Sequence, residues 1–156
     1  MMGSLGIMRE ILDFAANVDE AIAIMDSFRI EFGSGPAVHY LISDASGDSV
    51  VVEYGSGEMN VIRKGSEWQA ITNFLLESAG SEPESQCGRY KTISGKLSDN
   101  NGMISIKEGL QLLSDVSQGD PLVEGTQWSA LYDLSGPKLN LSVGMDYSHS
   151  WIFSID

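Results

Sequence analysis

The sequence predicts a protein of the α+β class with largely antiparallel sheets. Short β-branched and aromatic runs follow one another with turn residues between them, the signature of hairpins. These runs fall into two groups separated by helix pairs, and do not alternate with single helices as a parallel sheet would require. Composition agrees: apolar residues make up 42% and charged residues 20%, enough for a core and unlike a disordered chain. The 156 residues fit one domain, and no linker or internal repeat divides them.

The elements follow in order. From Ser4 to Phe28 the apolar residues keep helical spacing, as Ile7, Met8, Ile11, Leu12 and Ala15, then Val18, Ala21, Ile22 and Met25. Asn17 with Glu20 three residues on reads as a helix start, so this stretch is two helices or one interrupted helix. After Gly33-Ser34-Gly35-Pro36, the runs 37–43 and 49–54 flank the turn formers Asp44 to Asp48 and predict a hairpin. A third strand is expected over 59–63, beyond the Gly55-Ser56-Gly57 turn, and a fourth over 68–75. The polar stretch 80–86 reads as an exposed loop. A helix follows over 88–97. A second begins at the capping box Ser105-Ile106-Lys107-Glu108 and runs through Leu110, Leu112, Leu113 and Val116. Three more strands are expected over 126–133, 138–144 and 151–155, with Ser135-Gly136-Pro137 as a turn.

Charge and cysteine content exclude several classes. The net charge of −13, from 22 acidic and 9 basic residues, disfavours nucleic acid and anionic membrane surfaces as partners. One cysteine, Cys87, allows no intrachain disulfide and no multi-cysteine metal site. The apolar residues of the first 14 positions are broken by Gly3, Gly6, Arg9, Glu10 and Asp13, so no signal peptide is read, and no run approaches membrane-spanning length. A cytoplasmic location is expected, unless a targeting segment once preceded Met1.

Standard catalytic motifs are absent: there is no G-x-S-x-G elbow, no P-loop and no H-E-x-x-H. His39 and His149 lack ligand-like neighbours at metal spacing and read as structural residues of a strand and a turn. Asp44 to Asp48 lacks the alternating ligands and terminal Glu of a calcium loop. Glu82 and Glu84 read as solvated, and Trp68, Trp128 and Trp151 as core or sheet-surface residues. A lone Cys87 is a small buried hydrophobe more often than a nucleophile. No cofactor and no metal is expected.

Several segments, in order, resemble the choloylglycine hydrolase family of linear amide C–N hydrolases, which includes bile salt hydrolases and penicillin V acylases. They are Arg9-Glu10-Ile11-Leu12, Asn17-Val18-Asp19-Glu20-Ala21, His39 through Ser49, Glu53-Tyr54, Thr72-Asn73-Phe74, Cys87-Gly88-Arg89-Tyr90, and Thr126-Gln127-Trp128-Ser129 with Tyr132-Asp133. No single piece is specific, but their order and spacing together are. The resemblance implies an N-terminal-nucleophile (Ntn) hydrolase fold, an αββα sandwich of mainly antiparallel sheets. It also implies a cysteine nucleophile exposed as the first residue of the mature chain, whose α-amine shuttles the proton. Two family positions match here. Asn73, expected at a strand end, corresponds to the asparagine that binds substrate and stabilises the oxyanion, and Arg89 to the arginine near the nucleophile.

The departure from the family pattern matters as much. The family's first part, with its N-terminal Cys, an early Arg and Asp and a further oxyanion group, has no counterpart before Arg9. Met1-Met2-Gly3 exposes no cysteine, and Cys87 is internal. Residues 1–156 are therefore expected to form a single partial domain, the C-terminal part of the fold, inactive alone. A sheet lacking its partner would expose edges and an apolar face, inviting association with the missing N-terminal half or with itself. In the complete enzyme the partner would be a small-molecule amide. The alternatives are a non-catalytic binding or assembly module that kept the scaffold, and an unrelated α+β protein with a chance match.

Overall fold

The structure, a computed structural model, describes residues 2–33, 38–55, 57–120, 122, 124–136 and 138–155. The chain divides into two compact units, Met1–Gln86 and Cys87–Asp156.

The N-terminal unit opens with β1 (Met2–Gly3), helices α1 (Ser4–Phe14) and α2 (Val18–Ser27), and β2 (Ile30–Glu31). The helices are separate because Asn17 starts the second one. Its Oδ1 accepts the Glu20 amide at 2.9 Å, and Glu20 Oε2 accepts the Ala16 amide at 2.8 Å. The returning bond falls one residue before the cap, a shifted form of the capping box. β1 and β2 pair in parallel, two residues each, a pairing too short to leave a periodic signal in sequence.

Strands β3 (Tyr40–Ser43), β4 (Ser49–Glu53) and β5 (Asn60–Arg63) form an antiparallel sheet in that order. The hairpin turn between β3 and β4 puts Gly47 at φ +84°, a conformation that favours glycine. Residues 34–37 and 56, which include half of the two Gly-Ser-Gly turns, lie outside the described residues. The register puts Tyr40, Ile42, Val50, Val52 and Val61 on one face. Ile7, Ile11, Val18, Ala21 and Met25 of the two helices pack with them into the core. Full burial of a side chain such as Ile7 contributes roughly 1.5–3 kcal/mol.

Asp44 ties this hairpin to the helices. Its Oδ2 accepts the Val18 amide at 3.0 Å, and its Oδ1 accepts from the Ser46 amide and hydroxyl. The Ser46 hydroxyl first, then the Val18 amide, hold its carboxyl down to about 2, from an ordinary value of 3.8. A carboxyl lowered on folding stabilises the fold above its unfolded value and loses that effect as pH falls through the folded one. Thermal unfolding followed by circular dichroism should therefore show wild type losing stability more steeply than Asp44→Asn between about pH 4 and pH 2. Equal slopes for the two proteins would remove Asp44 from this role.

One expected strand does not form. Residues 68–75 are irregular, ending in a 3-10 turn at Leu76–Ser78. The run lies against β5 through side chains: Gln69 Nε2 donates to the Ile62 carbonyl at 2.8 Å, and Ala70 is buried. Its apolar residues read as a strand, yet the backbone joins no ladder. Residues 80–86 are a turn followed by a 3-10 turn at Pro83–Ser85, with Glu82 and Glu84 exposed as expected.

The C-terminal unit contains α3 (Gly88–Asp99), α4 (Ile106–Asp115), and β6 (Trp128–Asp133), β7 (Lys138–Val143) and β8 (Trp151–Ser154) in one antiparallel sheet. The Ser105 capping box is complete: Ser105 Oγ accepts the Glu108 amide at 3.2 Å, and Glu108 Oε2 accepts the Ser105 amide at 2.9 Å. Ser105→Ala should cost about 1 kcal/mol in chemical denaturation, the usual value of such a cap. A cost near zero would mean that α4 is held by packing alone. Gly109 lets α4 approach β6, since a Cβ there would meet both methyls of Leu131 at 3.1 Å.

The sheet of this unit is apolar on its exposed side. Ser129, Asn140 and Ser142 point to the buried face, where Ser129 Oγ and Tyr147 Oη lie 2.8 Å apart. Trp128 (66% exposed), Tyr132 (56%), Val143, Trp151 and Phe153 share the other face by register. Among the described residues no helix is long and apolar enough to cross a membrane.

Candidate active site

The fold fixes the segment that carries Asn73 through an acidic residue. Glu53 ends β4, the central strand of its sheet, on the face opposite α1 and α2. Its side chain is fully buried. Oε1 accepts the Leu76 amide at 2.8 Å and Oε2 the Glu77 amide at 3.0 Å. His39 Nδ1 lies 3.3 Å from Oε1. A buried acid is costly unless its oxygens are hydrogen-bonded, and both oxygens of this one accept backbone amides. The ends of the Leu75 and Glu77 side chains lie over Gly55, where a Cβ would meet them at 2.9 and 3.3 Å.

Asn73 stands in a bend three residues before the first clamped amide, and its side chain is exposed. It was expected at the end of a strand; with 68–75 irregular, it sits instead on a loop pinned at 76–77. On the same segment Thr72 Oγ1 and Gln69 Oε1 are buried with no hydrogen-bond partner among the described residues. Arg89 occupies the first turn of α3 and is half-buried. A cation at the positive end of a helix runs against the macrodipole, so helix stability does not explain its position. Cys87 is the N-cap residue of α3 and is partly buried, less enclosed than the buried hydrophobe expected. Asn73 belongs to the N-terminal unit and Arg89 to the C-terminal one.

The other candidates resolve simply. His39 lies just before β3 and pairs with Glu53; His149 follows the Tyr147–Ser148 turn and meets Trp151 edge-on at 5.1 Å. Trp68 is half-buried on the irregular segment, whereas Trp128 and Trp151 stand on the exposed sheet face. No group of three or more His, Cys, Asp or Glu among the described residues could hold a metal. A cleft of about 390 Å³ is lined by Met25, Phe28, Arg29, Phe32, Tyr54 and Met59 among others, and neither Asn73 nor Glu53 lines it. Burial in that region pushes the Tyr54 phenol up to about 12. Glu53 falls in the Glu53-Tyr54 piece of the resemblance, which implies no role for it. The available signal was an acid closing the apolar run Val50-Val51-Val52.

The family model of the acyl-coenzyme A:6-aminopenicillanic acid acyl-transferases matches residues 3–147. The chain belongs to this family, which is of the choloylglycine hydrolase and penicillin acylase Ntn type. The match agrees with the resemblance read from the sequence, and the mixed helices and antiparallel sheets agree with the α+β class. No curated protein and no solved structure matches the chain significantly.

Proposed function

We propose that residues 1–156 supply the substrate-binding and oxyanion-stabilising part of an Ntn-type enzyme that cleaves linear, non-peptide amide C–N bonds. The nucleophilic cysteine is contributed by a segment other than this one. The observation that carries this is the family match over 3–147, with the exposed Asn73 amide on a loop whose backbone is pinned. The chain's one cysteine does not suit the role: the nitrogen of Cys87 is a peptide nitrogen, which cannot serve as the base that an N-terminal cysteine carries.

In this scheme a thiolate attacks the amide carbon and the C=O electrons move onto oxygen. The Asn73 side-chain N–H donates to that oxyanion, and the Arg89 guanidinium offsets charge near the sulfur. Collapse breaks the C–N bond, and the amine leaves with the proton taken from the thiol. Water then releases the acid from the thioester. If an amine intercepts the thioester first, the outcome is acyl transfer, the reaction that the family's name describes. Substrates are small amides whose nitrogen carries the acyl group and is released as the free amine.

An exposed apolar sheet face is compatible with the same scheme. The face carrying Trp128, Tyr132, Trp151 and Phe153 suits a covering segment, either the one bearing the cysteine or a second copy of the chain. The same face also favours a second reading, a non-catalytic assembly module. The two separate on one experiment: adding a cysteine-first segment should create amidase activity in the first case, and only a complex in the second.

A further inference from the structure

We propose that Glu53 is a positioning residue for Asn73. Its buried carboxylate fixes the 76–77 backbone and thereby the bend from which the Asn73 amide projects. This deepens the active-site scheme and rests on the role given there to Asn73. A fully buried acid needs a reason, and its two oxygens account for it: each accepts one amide from the segment just after Asn73. His39, on the same sheet face, closes the remaining side at 3.3 Å. The loop joins no ladder with β5; the two Glu53 bonds hold its backbone at 76–77, and the Gln69 side chain adds a bond to the Ile62 carbonyl. An oxyanion donor accelerates a reaction only when it is held where the charge develops, and a loose loop would not do so.

The chemistry of the pair gives a signature that a general stability role would not. In Glu53→Gln the amide oxygen keeps the Leu76 N–H, while the new NH2 group faces the Glu77 N–H, donor against donor. Hydrogen exchange on the full chain should show the Glu77 amide opening about 10- to 100-fold faster, the scale of one bond to a charged acceptor. The amides of Val50 to Val52 should be unchanged, and the Asn73 side-chain NH2 resonances should shift. In the enzyme completed with a cysteine-first segment, kcat should fall about tenfold with KM unchanged, and Glu53→Gln should add nothing to Asn73→Ala. Leu76→Pro is the second variant. Leu75 is already extended at φ −79°, ψ 127°, and proline suits the first position of the turn. It deletes the Leu76 N–H with Glu53 intact and should lower kcat in the same way. Unchanged Glu77 exchange in Glu53→Gln, or effects that simply add to those of Asn73→Ala, would overturn the positioning role while leaving the active-site scheme standing. An Asn73→Ala protein with full kcat would overturn the scheme itself, and the positioning role with it.

Discussion

Supplying the chain with a family N-terminal segment that begins on cysteine should produce amide cleavage that neither piece has alone, and Asn73→Ala should lower its kcat about 10²- to 10³-fold. That is the cost of deleting one oxyanion donor in enzymes of comparable chemistry. The loss should fall on kcat more than KM, because the donor is matched to charge that exists only in the transition state. A carboxamide does not titrate, so the pH–rate profile should keep its shape and only drop in height. Arg89→Ala should also lower kcat, through the weaker effect of charge near the nucleophile. Cys87→Ala should leave the rate of the completed enzyme unchanged, since an internal cysteine lacks the free amine that the mechanism uses. Steady-state assays on a small N-acyl amide measure all of this. Hydrolysis by the chain alone that disappears in Cys87→Ala would overturn the assignment and make Cys87 the nucleophile.

What could be read in the sequence was what is local. Asn17 with Glu20 and Ser105 with Glu108 announce helix starts because their bonds close within three or four residues. The hairpin around Gly47 announces itself through turn formers between β-branched runs. The misread segment, 68–75, failed for a non-local reason. Whether its backbone joins the ladder depends on edge groups far from it in sequence, such as the Ile62 carbonyl, which accepts from the Gln69 side chain instead. Asn73 was reachable by resemblance alone, and its bend was not. The backbone partners of Glu53 lie 23 and 24 residues further along, so no pattern around Val50 to Tyr54 could reveal them. Alternation along β6 was legible, but its sense was not. Period-two spacing says that Trp128, Ala130 and Tyr132 share a face, and is silent on whether that face or the Ser129 face is the buried one.

That inverted sheet sets up the second large effect. Replacing Trp128 and Phe153 together with serine should raise the concentration of cysteine-bearing segment needed for half-maximal activity by about 30-fold or more per residue. Each deletes an aromatic anchor of the kind that dominates protein interfaces, with costs of about 2 kcal/mol or more. The serines should cost the unit little, because Trp128 is mostly and Phe153 about half solvent-exposed, and the buried contacts run through Ser129, Leu131, Asn140 and Ser142 on the other side. At saturating segment kcat should return to the wild-type value, which separates this variant from Asn73→Ala, where no concentration restores the rate. Titrations followed by activity and by sedimentation velocity measure the two quantities independently. An unchanged half-maximal concentration would mean that the aromatic face meets something other than the segment that completes the active site. A matching loss of self-association in sedimentation would then identify a second copy of the chain as its occupant.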